Sequence, residues 1–315
     1  MTFMKNHLKA FGRGLILAGL TLGAIASGYP QSKTAAVAPK RCLMWKAVNG
    51  PNVVYLVGSI HIGSKDMYPL PKVMEDAFTR ASVLAVELDI TKDQGETSQK
   101  AMKLGTYEGE DNLWNHISKE TADRVKKSCE KYGLPESMAG SMKPWLLSVT
   151  LSLMPMLKAG MDPTLGIDKH FLDKAHSAKT PKKIVEVESA DFQLKTLSNL
   201  PDNLSDIWMK YTIGEADQSI SEDAKVAKLW KEGNSEALAK SMLDFPKEIG
   251  KFQRSLLEDR NPHMTDVAEK YLKGNGPCFF VVGAAHLVGP EGVVALLKKR
   301  GYTVFQISAE EASAK

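Results

Sequence analysis

Two apolar runs, one near each end of the chain, share a pattern of hydrophobic and polar positions. Each is rich in β-branched or aromatic residues, reaches a glycine, and presents a histidine three residues after it; the runs are residues 52–61 and 278–286. This pattern predicts a buried strand that ends at a glycine and delivers an imidazole to the rim of a sheet. If the two strands are neighbours in the sheet, the two imidazoles meet.

The first of these runs is predicted to belong to a β-hairpin. Residues 43–48 and 52–57 are both strand-like, and Asn49-Gly50-Pro51 lies between them as a turn. After the histidine loop, Pro71 favours the start of a helix that continues to about Arg80, because proline is tolerated in the first turn of a helix.

Three further runs predict strands, at residues 83–90, 183–188 and 303–307. The first is apolar until Glu87 and Asp89, which we expect on one face because side chains two apart in a strand point the same way. The second also ends in a carboxylate. The third follows a short helix, so that residues 279–307 resemble a right-handed βαβ unit.

The regions 91–180 and 206–273 are predicted to be largely helical. Residues 118–132 form a charged helical pattern that Gly133 closes, as expected of a helix C-cap. Residues 144–159 are the most apolar stretch after the N-terminal segment and are too short for a comfortable membrane span. They predict a buried helix or, alternatively, a helix that faces a substrate groove or a partner.

These elements together predict a mixed α and β fold, of the α+β or α/β class. A mixed central sheet is built from N-terminal and C-terminal strands, and a large helical block is inserted between them. We expect residues 41–310 to form a single domain, preceded by a flexible spacer at residues 29–40.

The N-terminus predicts a targeting signal. Basic residues come first, an apolar run follows at residues 14–26, and the small residues Ser27 and Gly28 close the segment. This order is typical of a cleaved export signal, to which we assign residues 1–28. An uncleaved anchor is the alternative, although the run is shorter than the ~20 residues that span a bilayer. We therefore expect a periplasmic or secreted protein with no stable membrane span after cleavage.

Charge argues against a nucleic-acid partner. The chain has 41 Lys and Arg against 37 Asp and Glu, and three of the basic residues, Lys5, Lys9 and Arg13, lie in the predicted signal. Removing them leaves 38 basic against 37 acidic residues, since no acid precedes Asp66. A mature chain with a net charge this close to zero is not typical of a polyanion-binding protein.

The three cysteines leave two alternatives open. Cys42 and Cys278 both flank strand-like runs near the histidine motifs, so an exported protein could join them in a disulfide. Equally, Cys42, Cys129 and Cys278 could all be free and buried. Their spacing matches no zinc motif, and neither alternative favours a cysteine nucleophile.

Four predicted strands end in ionisable residues, namely His61, Glu87, Glu188 and His286. Such groups gather beyond the carboxyl ends of strands in open α/β sheets, so we expect the four to converge. Imidazole nitrogens and carboxylate oxygens suit a catalytic divalent metal. The same groups could instead perform acid–base chemistry without a metal. Taken singly, each glutamate also fits a solvated strand end.

Several short motifs resemble the TraB/GumN family, which includes the TIKI-type proteases. They occur in the family's order across residues 42–308, and Ser189 is a conservative departure where members commonly have threonine. The motifs are Leu56-Val57-Gly58-Ser59-Ile60-His61-Ile62-Gly63, Tyr68-Pro69-Leu70-Pro71, Val86-Glu87-Leu88-Asp89, Lys143-Pro144-Trp145, Gly166-Ile167-Asp168, Val187-Glu188-Ser189 with Gln193, Arg260-Asn261 and Val282-Gly283-Ala284-Ala285-His286-Leu287-Val288-Gly289.

The resemblance implies a fold related to the erythromycin-esterase and ChaN-like proteins. It implies an active site of two Gly-x-x-His motifs with glutamate, and in TIKI-type members a metalloprotease that needs manganese or cobalt. Carried over, His61, Glu87 and His286 are the metal-binding and catalytic core, with Glu188 and Arg260 as additions. Arg260 suits an oxyanion or a substrate carboxylate, or alternatively forms an ordinary ion pair at a helix end.

Two hypotheses about function follow. The first is an exported, divalent-metal-dependent hydrolase that acts on a peptide or protein substrate. The second is a non-catalytic periplasmic protein that binds and sequesters a peptide or saccharide signal on the same scaffold, since function resides in the site and not in the fold.

Overall fold

A computed structural model of the protein describes residues 41–216, 219–243, 245, 247–274 and 276–308. The predicted signal at 1–28, the predicted spacer at 29–40 and residues 309–310 of the predicted domain lie outside the described residues.

The described chain forms a six-stranded mixed sheet in the order β4-β3-β5-β2-β1-β6. The strands are β1 (Met44–Asn49), β2 (Asn52–Ser59), β3 (Val83–Val86), β4 (Lys183–Glu186), β5 (Cys278–Gly283) and β6 (Thr303–Gln306). The predicted mixed sheet of N-terminal and C-terminal strands is confirmed, and so is the β1–β2 hairpin, which is antiparallel.

Helices occupy most of the remaining chain. They are α1 (Lys72–Arg80), α2 (Gln94–Gly105), α3 (Lys119–Tyr132), α4 (Glu136–Ser141), α5 (Pro144–Lys158), α6 (Ile167–Ser177), α7 (Ala190–Ser198), α8 (Ser205–Ala216), α9 (Ser219–Lys231), α10 (Ser235–Met242), α11 (Gly250–Leu256), α12 (Asn261–Leu272), α13 (Ala284–Leu287) and α14 (Val293–Lys299). Short 3-10 turns lie at Lys65–Met67, Leu113–Asn115, Pro163–Leu165, Asp202–Leu204 and Lys247–Ile249.

The described residues within 91–180 and 206–273 are largely helical. Helix α3 begins after its N-cap Ser118 and ends at Gly133, whose φ of 74° is the left-handed conformation that glycine adopts at a C-cap. Helix α5 is buried along most of its length, as the apolar pattern predicts. Among the described residues, no helix is both long and apolar enough to cross a membrane.

The three central strands β2, β5 and β3 form the core of the sheet. Every residue of β3 and β5 is buried, whereas the edge strand β4 has no buried residue and the edge strand β6 has one. Strands β2, β5, β3 and β4 run parallel to one another. Parallel strands buried on both faces read as continuous apolar runs, which explains the two runs that end in histidine.

The register of these parallel strands decides where the polar groups emerge. Ser59 at the end of β2 pairs with Gly283 at the end of β5, and Val86 at the end of β3 pairs with Val281. The carboxyl ends of four strands therefore lie along one edge of the sheet, and the two Gly-x-x-His motifs leave it side by side.

Two sequence expectations differ from the structure. Strand β3 ends at Val86, and a tight turn in which Ile90 N donates to Leu88 O interrupts the strand period. Glu87 and Asp89 therefore do not share a face. The two strands of the last strand-helix-strand unit, β5 and β6, run in the same direction but are not adjacent in the sheet. Strands β2 and β1 lie between them.

The structure distinguishes between the two cysteine alternatives. Cys42, Cys129 and Cys278 are all buried and free. The alternative without a disulfide is the one that the structure shows.

Candidate functional site

His61 follows strand β2 by two residues and is fixed by a carboxylate. Its Nδ1–H donates to Asp168 Oδ2 over 2.7 Å. The other carboxylate oxygen, Oδ1, accepts a hydrogen bond from Ser59 Oγ at 3.0 Å. His61 Nε2 is buried and has no hydrogen-bond partner. One nitrogen of the imidazole is therefore anchored, and the other is available for chemistry.

The start of helix α6 brings Asp168 to this position. Ile167 N donates to Ile60 O, and Asp168 N donates to Ser59 Oγ, so the first turn of the helix is bonded to the segment after β2. Gly166 permits this close approach, because a Cβ at that position would lie 2.4 Å from His61 O.

His286 is held in the same way from the other side. Its Nδ1–H donates to Asn261 Oδ1 over 2.7 Å, while Asn261 Nδ2 donates to Glu291 O at 2.8 Å. The second bond commits the amide nitrogen elsewhere, so the amide oxygen faces the imidazole and the proton lies on Nδ1. His286 Nε2 is buried without a hydrogen-bond partner, as in His61.

The two imidazoles have opposite electrostatic environments. Burial alone would lower the pKa of His61, but the charge and hydrogen bond of Asp168, with the charge of Glu87, raise it to about 9. Burial, the charge of Arg260 and the charge of His61 hold the pKa of His286 well below its usual value of 6.5. At neutral pH the free protein thus has a protonated His61 and a neutral His286.

Glu87, Glu188 and Arg260 form a buried ion-pair network beside the histidines. Arg260 Nη2 donates to Glu87 Oε1 at 2.5 Å and to Glu188 Oε2, and Arg260 Nε donates to Glu188 Oε1 at 2.9 Å. Arg260 Nη1 donates to Leu256 O at 2.7 Å. These four bonds all go to acceptors within the protein, which corresponds to the ion-pair alternative for Arg260, although in a buried setting.

Gln193 in helix α7 bridges the same two carboxylates. Its Nε2 donates to Glu87 Oε1 at 2.9 Å and to Glu188 Oε2 at 3.0 Å. Glu87 Oε2 accepts a single described hydrogen bond, from Gly283 N at 3.0 Å, and retains a second lone pair. Glu87 Oε1 lies 3.9 Å from His286 Nε2, so this carboxylate is adjacent to the imidazole.

The structure places all five predicted site residues in one buried cluster. The exposed fraction is 8% for His61, 4% for Glu87, 9% for Glu188, 6% for Arg260 and 0% for His286. Asp89 instead turns away to bond Thr91 and ion-pair with Lys92 and His176. The remaining described histidines, at positions 116, 170, 176 and 263, bond other groups.

A family model for the TraB/PrgY/gumN family matches residues 43–306. This match covers all six strands and every residue of the cluster. The chain belongs to the TraB/PrgY/gumN family.

Two curated relatives match part of this TraB/PrgY/gumN protein. Both are called YbaP and described as uncharacterized, one from Escherichia coli (strain K12) and one from Shigella flexneri. Each is 29% identical over 163 residues, which cover 50% of this chain and 58% of the relative. The aligned part thus spans less than two thirds of the relatives' length. No solved structure matches the chain.

Sequence reasoning missed three residues of this family member's site, namely Asp168, Asn261 and Gln193. All three occur in motifs that resemble the family's, but the sequence analysis assigns none of them a role. No local pattern relates Asp168 to His61, which is 107 residues away. The signal that could have found it is a carboxylate two residues after a Gly that opens a helix, a position from which an acid can orient a partner's imidazole.

The fit of a divalent cation to this site can be judged from the donor atoms. Among the residues that the structure describes, no group of three or more His, Cys, Asp or Glu side chains is arranged to hold a metal ion. The two imidazoles nevertheless fit one, because each Nδ1–H is bonded to an oxygen and each Nε2 is unpartnered. Glu87 is the carboxylate adjacent to them.

Proposed function

We propose that this protein is an exported hydrolase, a divalent-metal-dependent peptidase that uses both Gly-x-x-His motifs. The observation that supports this most is the pair of buried, unpartnered Nε2 atoms of His61 and His286, each on an imidazole whose Nδ1 is anchored. Unsatisfied buried polar atoms are costly, and two of them beside a carboxylate are typical of a site built for a ligand.

The chain's residues have separate roles in this proposal. Asp168 and Asn261 orient the imidazoles so that both Nε2 atoms bind the cation. Arg260 and Gln193 stabilise the buried negative charge of Glu87 and Glu188 by donating to both.

Glu87 is the general base of the proposed reaction. A divalent cation supplies a Lewis acid and a bound water with a lowered pKa. Glu87 Oε2 takes a proton from the attacking water as the C–O bond forms, and returns it to the amine nitrogen as the peptide C–N bond breaks. The products are a carboxylic acid and an amine, so the water is fully accounted for.

The opposite pKa shifts of the two imidazoles support a second chemical route that needs no cation. Neutral His286 Nε2 would take the proton of the attacking water, and protonated His61 Nε2 would donate one to the leaving amine. Two titratable groups with pKa values driven apart are a common basis for acid and base roles. Dependence on metal distinguishes the two routes.

The test is a peptide-library cleavage assay on the purified mature protein, with manganese, cobalt or a chelator, together with metal analysis. We expect His61→Ala and His286→Ala each to lower cleavage by at least about 100-fold. The matched control is His116→Ala, since His116 bonds Asp111 away from the cluster. Cleavage that survives both site substitutions, in folded protein, overturns the proposal.

The same assay addresses the alternative of a sequestering protein. A peptide that binds tightly but is never cleaved, with no metal retained, supports a binding protein. Cleavage that persists in chelator but disappears in His286→Ala supports the acid–base route.

A further inference from the structure

A surface groove of about 240 Å³ lies beside the histidine site, between the N-terminal turns of helices α2 and α7. The turn after Glu87 forms one wall, and the start of α7, including Ser189 and Ala190, forms the other. Glu188, which belongs to the buried ion-pair network, also lines this groove. The groove therefore adjoins the proposed active site.

Leu88 and Ile90 lie between this groove and His61. Both residues line the groove, and both also line the small inner cavity that contains His61, Glu87 and Asp168. Both are only half-buried, in contrast to the buried residues on either side of Leu88. Leu88 and Ile90, here called the partition, are thus a wall shared by the two spaces.

The partition limits the access of substrate to the histidines. The Nε2 atoms of both His61 and His286 are buried, so no substrate reaches them in the conformation that the structure describes. A hydrolase must admit a peptide bond to these atoms, and the partition is the part of the lining that the surface groove and the inner cavity share.

Asp89, between the two partition residues, fixes the loop that carries them. Its Oδ1 accepts hydrogen bonds from Thr91 N at 3.1 Å and Thr91 Oγ1 at 2.6 Å. Its Oδ2 lies 3.3 Å from Lys92 Nζ and 3.3 Å from His176 Nε2. Asp89 N also donates to Glu186 Oε1 at the end of strand β4, over 2.9 Å. The loop backbone is therefore held by strand β4 and helix α6, and opening of the partition requires movement of the Leu88 and Ile90 side chains.

The groove has an excess of negative charge. Its exposed carboxylates are Asp93, Glu96, Glu186 and Asp191, against the two lysines Lys92 and Lys100. Its other two carboxylates, Asp89 and Glu188, are buried and paired within the protein. Lys100 pairs with both Glu96 and Asp191, at 2.9 Å from each. Its single positive charge therefore does not balance the two carboxylates. A ligand with positive charge therefore suits this groove.

We propose that this groove is the entry and binding groove for substrate, that Leu88 and Ile90 are its gate, and that it selects peptides with cationic side chains. This rests on the proposed peptidase function for the reaction itself. Ile90 is in this view a specificity-determining residue, because its side chain separates bound peptide from His61.

The gate is tested by the rate at which diethyl pyrocarbonate modifies His61, followed by mass spectrometry. His116, with a side chain 24% exposed, is the internal reference. We expect Ile90→Ala to raise the His61 rate at least about threefold and Ile90→Trp to lower it, because the two changes ease or hinder local opening. The matched control is Ile207→Ala, at an isoleucine 37% exposed on helix α8.

An unchanged His61 rate in both folded Ile90 variants overturns the gate. This readout needs no catalysis, so a protein that proves inactive in the cleavage assay can still pass or fail it. Failure of the gate and failure of the peptidase proposal are therefore separate outcomes.

Charge selection is tested by fluorescence anisotropy with labelled Gly-Lys and Gly-Glu repeat peptides of equal length, in chelator and low salt. We expect the lysine peptide to bind at least about fivefold tighter, and added salt to weaken it. Glu96→Lys with Asp191→Lys should abolish the difference. The matched control reverses two exposed acids of helix α3, Asp123→Lys with Glu130→Lys. Equal binding of both peptides, or an equal loss in the control, overturns the charge selection.

Discussion

At the scale of single residues, the candidate site consists of two similar imidazoles with different partners. His61 donates to a carboxylate, whereas His286 donates to a neutral amide. A carboxylate favours the imidazolium form and an amide does not. The identity of the residue bonded to Nδ1 therefore accounts for much of the pKa difference between the two histidines. Asp168 and Asn261 therefore act on the chemistry through the imidazoles that they orient.

Asp168→Asn tests this at His61. We expect its pKa to fall from about 9 to below its ordinary 6.5, because burial is no longer outweighed by the neighbouring charge. The measurement is an NMR titration of the metal-free protein. His286, whose pKa is already well below 6.5, is the internal control and should stay neutral. A His61 pKa that remains near 9 contradicts this assignment.

Stability should depend on pH in a window that follows from the same shift. The pKa of His61 is raised in the folded protein, so its contribution is fully present below pH 6.5 and is lost as pH rises through about 9. We expect metal-free protein to lose on the order of 3 kcal/mol of unfolding free energy across this window. Urea unfolding at both ends should show this loss, and Asp168→Asn should lack it.

At the scale of elements, the site depends on how closely helix α6 approaches the end of strand β2. Ile167 N bonds Ile60 O, and Gly166 lies against the backbone of His61. A helix start placed this near a strand end needs a residue without a side chain. Gly166 thereby links the packing of two elements to the position of the Asp168 carboxylate.

Gly166→Ala should move the start of helix α6 away from the end of strand β2. The added Cβ would lie 2.4 Å from His61 O, so the backbone must shift, at a cost of about 1–3 kcal/mol. We expect lower stability in thermal unfolding together with a lower His61 pKa. Gly250→Ala is the matched control, since its Cβ meets nothing within 4 Å. Equal effects of the two substitutions would show that the close approach has no special role.

At the scale of the whole molecule, the ion-pair network joins regions that are distant in sequence. Arg260 is 173 residues from Glu87 and 72 from Glu188. It connects the ends of strands β3 and β4 with the start of helix α12. A buried pair of carboxylates depends on such a cation, because desolvated negative charge is costly on its own.

Arg260→Met should therefore destabilise the whole protein by about 3–5 kcal/mol, as expected when one partner of a buried ion pair is removed. Adding Glu87→Gln and Glu188→Gln should restore part of this loss, because the uncompensated charges disappear. Urea unfolding of the single and triple variants measures both effects. A single variant that loses less than about 1 kcal/mol contradicts a structural role for the network.

Much of this protein could be predicted from its sequence. The hydrophobic period identified all six strands, and helices with strong start and stop signals, such as α3 and α5, were found close to their actual ends. The two Gly-x-x-His motifs identified His61 and His286, because buried parallel strands are continuous apolar runs and an ionisable residue three positions after the closing glycine is conspicuous.

The tertiary structure decided what lies between these elements. The pairing of Ser59 with Gly283 brings the two motifs to one edge, and a local pattern carries no information about strand order. The turn after Glu87 sent Asp89 away from the site, because a local hydrogen bond overrode the strand period. Asp168 and Asn261 became partners of the histidines only through helix docking. The sequence thus determined which groups are present, and long-range contacts determined which of them meet.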